Sequence, residues 1–185
     1  MVNKMSLIEF NNVKKIYGKS DAKTIALDDI TLSIDVGEMV AFMGASGSGK
    51  STLLNIMGCL DKQSSGEYYY NGEKISDYTD SKISRLRNST FGFVVQNFAL
   101  IDNYTVYENV EIPLVYNKKR FNNKMKLIKE TLDMLGIVNK INKYPKELSG
   151  GQCQRVAIAR AIANDQQIIL ADEPTGALDK KMVKK

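Results

Sequence analysis

The chain contains no histidine and no tryptophan, and it has only two cysteines and three prolines in 185 residues. Cys59 and Cys153 lie far apart with no second ligand pair, so neither a zinc site nor a disulfide framework is indicated. Both read as small hydrophobes. No apolar run approaches the roughly eighteen residues that would cross a bilayer, and residues 1–10 lack the apolar stretch of a secretory signal, so a soluble, cytoplasmic chain is expected. Internal repeats and low-complexity segments are also missing. The net charge is +5, but Lys118-Lys119-Arg120 and the terminal Lys180, Lys181, Lys184 and Lys185 are short clusters without interleaved aromatics. That pattern argues for solvated surface rather than a nucleic-acid stripe.

What is present suits one domain. A hydrophobic content of 43% supports one sizeable core and a small satellite lobe. Leu7, Glu9, Asn11 and Val13 alternate with Ile8, Phe10 and Asn12, and Ile25 to Val36 follows, which predicts an antiparallel lobe broken by Gly18 and Gly37. Met39 to Met43 is a continuous apolar run ending at Gly44, as expected of a strand buried on both faces. A helix is predicted from Lys50 to about Leu60, strands at Gly66 to Tyr70 and Phe91 to Val95, and a helix from Asp80 to Arg87 between them. From Gln96 to about Pro145 the pattern is helical, with Met125, Ile128, Leu132 and Leu135 on one face. After Ser149 a helix carrying Val156, Ile158, Ala159 and Ile162 leads to a buried strand, Ile168 to Ala171. This order predicts an open parallel α/β sheet.

Gly44-Ala45-Ser46-Gly47-Ser48-Gly49-Lys50-Ser51-Thr52 fits G-x-x-x-x-G-K-[ST] between a predicted strand and a predicted helix. In such a loop successive N–H groups turn toward phosphate oxygens, and the helix N-terminus adds partial positive charge. Lys50 would reach the β- and γ-phosphates and Ser51 would hold Mg²⁺. Asp172 and Glu173 close an apolar strand, so their carboxylates should emerge at the sheet's carboxyl edge. Asp172 suits a second position around Mg²⁺, and Glu173 suits orienting or deprotonating the attacking water. Leu148-Ser149-Gly150-Gly151-Gln152 opens a helix with two glycines, each costing up to about 1 kcal/mol relative to alanine in a helix interior. Stability does not account for them, whereas close approach of an anion to backbone does. Ser149 as a plain N-cap is the simpler alternative.

Gly44 to Thr52, Gln96, Leu148 to Gln152, Ile168 to Glu173 and Ala177-Leu178-Asp179 together resemble the nucleotide-binding subunits of ABC transporters. The resemblance implies an α/β P-loop NTPase fold: a parallel-sheet core with an N-terminal antiparallel β lobe (residues 1–96 and 155–185) and an inserted helical subdomain with the signature loop (97–154). It implies that Ser149, Gly150, Gly151 and Gln152 bind the γ-phosphate held by an opposite protomer, so that two ATP molecules are enclosed by two subunits. Gln96 matches the glutamine that touches Mg²⁺ and relays movement to a membrane subunit, and Tyr17 matches an aromatic that stacks on adenine. The expected ligands are ATP and Mg²⁺. The expected partners are an integral membrane permease and a second ATPase subunit, at the cytoplasmic face of the membrane.

Ile25 to Ile30, Asn55 to Asp61 and Tyr144 to Leu148 resemble the subgroup of lipoprotein-release and macrolide or antimicrobial-peptide exporters. Asn97 to Val110, with Phe98, Tyr104 and Tyr107, would receive a permease's coupling helix. The family pattern continues past Asp179 into a helix, a strand and a histidine, whereas this chain ends at Lys185 and has none. A truncated module with little or no turnover is therefore the competing expectation to an active ATPase. DNA-repair ATPases share both motifs but separate them by a long coiled coil, and only a short helical segment lies between Gln96 and Ser149 here.

Overall fold

The computed structural model describes residues 6–117 and 123–173, and the chain divides into two compact units after Ser84. The basic clusters at 118–120 and 180–185 and the Ala177-Leu178-Asp179 motif lie outside the described residues. In the first unit, strands β1 (Ile8–Tyr17), β2 (Thr24–Ile34), β3 (Ser65–Tyr70) and β4 (Glu73–Lys74) form an antiparallel sheet in the order β2-β1-β3-β4. Its core is aromatic at the centre: Phe10 and Tyr68 are buried and meet edge to face at 4.7 Å. The Tyr68 hydroxyl donates to the Met57 carbonyl at 2.6 Å, which ties the end of helix α1 (Lys50–Met57) to the sheet.

The strict alternation expected along β1 fails at Asn12. This residue takes φ +51°, the register shifts between Phe10 and Val13, and Val13 is buried with Ile8 and Phe10 rather than with the opposite face. An extra residue in one strand moves the next side chain across the sheet. The bulge is stitched to β2, with Asn12 donating from its backbone to the Thr31 hydroxyl and from its side chain to Asp29 at 2.7 Å. On the other side it requires Gly66, where a Cβ would stand 2.3 Å from the Asn12 carbonyl oxygen.

The expected strand at Met39 to Met43 does not form. No strand among the described residues hydrogen-bonds to it, and Met39 and Met43 are 96% and 93% exposed. An apolar run signals a demand for cover, but a strand exists only through the backbone of a neighbour. Helix α1 stops at Met57 rather than Leu60 because Cys59 takes φ +56°, and the turn closes with the Cys59 N–H on the Ile56 carbonyl and the Leu60 N–H on the Asn55 carbonyl.

In the second unit β5 (Phe91–Val94) and β6 (Ile168–Ala171) pair in parallel, Phe91 opposite Ile168 through Val94 opposite Ala171. β6 is not buried on both faces as expected: Leu170 is buried and Ile169 is 44% exposed, since β5 is its one partner strand among the described residues. Helix α2 (Asp80–Thr90) leads into β5. Helices α3 (Val106–Val115), α4 (Lys124–Met134) and α5 (Gly150–Ile162) enclose an apolar cluster of Val106, Val110, Ile128, Leu132, Val156 and Ala159. The inward face of α4 is Ile128, Thr131 and Leu132, while Met125 is 44% exposed, so the stripe begins one turn later than its periodicity predicts. α5 lies directly on β5: a Cβ at Gly92 would stand 2.2 Å from the Ala161 carbonyl oxygen. Cys59 and Cys153 are both buried, and burial raises the Cys153 thiol above its ordinary value.

Candidate active site

The first unit carries the glycine-rich loop and Tyr17. Gly49 stands at the N-cap of α1 with φ +89°, and a Cβ there would lie 2.3 Å from the Ala26 carbonyl oxygen, so only glycine lets the loop lie against β2. Gly47 also has φ +78°. No side chain caps the start of α1, which leaves its first N–H groups free to meet an anion. The Lys50 ammonium folds back over the loop and donates to the Gly44 and Ala45 carbonyls at 2.9 and 2.8 Å. Ser51 is exposed at the first turn of the helix.

Tyr17 ends β1 and remains 41% exposed. Its hydroxyl donates to Asp61 at 2.7 Å, and Lys15 donates to the other Asp61 oxygen at 2.6 Å and to the Lys62 carbonyl. Burial raises the Tyr17 phenol and the bond to Asp61 adds to this, against a weaker opposing bond with Thr52 of the loop helix. For Asp61, desolvation acts upward, but the hydrogen bonds from Lys15, Tyr17 and the Lys62 N–H outweigh it and hold the carboxyl below its ordinary value. Sequence reasoning missed this triad. Lys15 and Asp61 are 46 residues apart and no spacing pairs them, so only the fold of β1 against the segment after α1 reveals their contact.

The second unit carries Gln96, Asp172, Glu173 and the Ser149 to Gln152 segment. Asp172 and Glu173 follow β6, and Gln96 lies just past β5, so all three lie at the carboxyl ends of parallel neighbours. The Asp172 N–H donates to the Val94 carbonyl at 2.8 Å, which extends the ladder one step. Continuing that register sets Gln96 opposite Glu173, and the Gln96 side-chain amide donates to the Glu173 carboxylate at 3.0 Å. Glu173 has φ +49°, a left-handed conformation costing on the order of 1–3 kcal/mol for a residue other than glycine and typical of functional sites.

Ser149 is the N-cap of α5. Its hydroxyl accepts from the Gln152 N–H at 3.3 Å, and the Gln152 side chain accepts from the Ser149 N–H at 2.9 Å, a complete capping box. The plain N-cap role is therefore real for these two side chains. It does not explain Gly150, where a Cβ would meet nothing within 4 Å. Arg160 belongs to none of the motifs, yet its guanidinium donates to the Phe98 and Ala99 carbonyls just after Gln96. The available signal was a lone cation in the alanine-rich stretch Ala157 to Ala163.

The ABC transporter family matches residues 27–176. An uncharacterised ABC transporter ATP-binding protein of Methanocaldococcus jannaschii, MJ1508, is 50% identical over 175 residues, covering 95% of this chain and 78% of that protein. The macrolide export ATP-binding/permease protein MacB of Pasteurella multocida is 48% identical over 173 residues, but this chain spans 27% of its length. Among solved structures, the dimeric post-hydrolysis state of the ATP-binding cassette MJ0796 with ADP and Pi superimposes with a TM-score of 0.89 at 45% identity, covering 96% of this chain and 78% of that one. The phosphate loop, the paired strand ends and these relatives lead to one assignment: the chain belongs to the ABC transporter family, as an ATP-hydrolysing nucleotide-binding domain of the subgroup that includes the macrolide exporters.

Proposed function

We propose that this chain binds MgATP, associates with a second ATPase subunit on doing so, and drives export through a membrane permease from the cytoplasmic face. The observation that carries the hydrolytic part is the contact of Gln96 with Glu173 across the ends of β5 and β6. Glu173 is the group that takes the proton of the attacking water, and Gln96 fixes the carboxylate's direction. Attack on the γ-phosphorus in line with the leaving oxygen breaks the bond to the β-phosphate bridge and releases ADP and phosphate. Gly44 to Thr52 hold the phosphates through backbone N–H groups, Lys50 compensates their charge, and Tyr17 offers its ring to adenine.

For Mg²⁺ the residues would be Ser51 of the first unit, which offers a hydroxyl, and Asp172 and Gln96 of the second, which offer a carboxylate and an amide oxygen, all hard oxygen donors. When bound, Mg²⁺ neutralises charge on the β- and γ-phosphate oxygens. Association is supported by Gly150, whose missing side chain no packing among the described residues requires and which leaves the start of α5 open to a nucleotide on another subunit. Asn97 to Val110 is read as the surface that receives the permease, with Tyr104 exposed and Tyr107 packed against the apolar cluster. MacB, an ATP-binding/permease protein by name, supports a membrane partner.

Sedimentation velocity tests this reading. A Glu173→Gln protein with saturating MgATP should sediment as a dimer and return to monomer when ATP is removed. A monomer under both conditions would contradict the shared site.

A further inference from the structure

The loop after Gln96 is held in an unfavourable shape. Phe98 and Ala99 take φ +61° and +45°, two consecutive left-handed residues of which neither is glycine. The local turn is closed by Phe98 N–H to the Val95 carbonyl at 3.0 Å and by Ala99 N–H to the Asn97 carbonyl at 2.7 Å. Farther along, buried Asn109 fixes the chain by accepting from the Ile101 N–H at 2.8 Å and donating to the carbonyls of Ile101, Tyr104 and Thr105. Residues 97–100 lie between these anchors. Among the described residues, the side-chain hydrogen bonds that reach them both come from Arg160, to the carbonyls of Phe98 (2.7 Å) and Ala99.

Arg160 is unusual in its own right. No carboxylate pairs with it among the described residues, and burial lowers its pKa from the ordinary value. A half-buried cation whose guanidinium meets two successive carbonyls of a strained turn is placed to fix the geometry of that turn. Its planar fork spans two successive carbonyls, which one ammonium would not do in the same orientation. Arg160 also lies on α5, whose N-terminus is the Ser149 cap, eleven residues or about 16 Å away along one continuous helix.

We propose that Arg160 is a positioning residue: it clamps the Phe98-Ala99 kink so that Gln96 faces Glu173, and it transmits displacement of the Ser149 end of α5 to that loop. Capture of a nucleotide at the start of the helix and the setting of Gln96 are thereby parts of one rigid movement. The clamp itself stands on the structure, while its consequence for turnover rests on the proposed role of Gln96.

Two measurements on the full chain separate these. Hydrogen exchange should show Arg160→Met accelerating the Phe98 and Ala99 amides about tenfold or more, with β5 and the first two turns of α5 as protected as in the parent, and Arg160→Lys falling between. Unchanged loop exchange in both variants, or equal loss of protection throughout the unit, would overturn the clamp. In ATP hydrolysis, Arg160→Met should lower kcat with little change in KM, and this loss should vanish in a Gln96→Ala background. Multiplicative losses would assign Arg160 a merely structural role. If Gln96→Ala alone leaves hydrolysis unchanged, the reading of Gln96 fails and the exchange result still judges the clamp.

Discussion

The phosphate loop of the first unit presents main-chain N–H groups and one ammonium, whereas the second unit brings a carboxylate and an amide together at strand ends through a strained backbone. Backbone donors tolerate changes in side chains. A base and the residue that aims it do not. Binding and turnover should therefore separate by unit, and Glu173→Gln gives the strongest contrast. It should lower kcat by about 10²–10⁴-fold, the range for loss of a general base, while ATP affinity from equilibrium titration stays within about threefold. Lys50→Ala should do the reverse at the first step and weaken ATP binding by about 10–100-fold, as expected for a charge-assisted bond of ~1.5–3 kcal/mol. Unchanged ATP affinity in Lys50→Ala would remove the loop from the site.

Glycines sharpen the same comparison, because some serve the fold and one does not. Gly92 faces the Ala161 carbonyl, where a Cβ would stand 2.2 Å away, so Gly92→Ala must push α5 off β5. A loss of about 1–3 kcal/mol in urea unfolding is expected, typical of overpacking against backbone. Gly150 meets nothing. Gly150→Ala should leave the isolated chain as stable or up to about 1 kcal/mol more stable, because alanine is the better helix residue, and yet weaken ATP-dependent association in sedimentation. A variant that gains stability and keeps full association would show that this glycine has no partner.

The elements and motifs could be read from the sequence because they depend on local pattern. Gly47, Gly49 and Lys50 define a loop by spacing, and β5 and β6 are short apolar runs with turns beyond them. What escaped were the effects of neighbours distant in sequence. The bulge at Asn12 moves Val13 to the buried face because Thr31, Asp29 and Gly66 accommodate it. Met39 to Met43 looks like a strand but lacks a partner among the described residues. Arg160 reaches 61 and 62 residues back to Ala99 and Phe98, and no periodicity encodes that reach.

The smallest expected effect tests whether the first unit also uses side chains to orient its ligand. Tyr17 presents a half-exposed ring whose hydroxyl is anchored by Asp61, itself anchored by Lys15. Asp61→Asn should weaken ATP binding by about threefold, a part of the ~0.5–1.5 kcal/mol that an oriented aromatic contact supplies, and leave binding of inorganic triphosphate unchanged. The same variant should alter the acid limb of stability. The Asp61 carboxyl is held below its unfolded value near 3.9, so its contribution is complete above that pH and is lost as the pH falls through the lower folded value. Urea midpoints of the parent should therefore fall below about pH 4, and those of Asp61→Asn should fall less steeply over the same interval. Equal loss of ATP and triphosphate affinity would place Asp61 in the support of the loop rather than of the tyrosine, and the contrast between a backbone site and a side-chain site would then hold without exception.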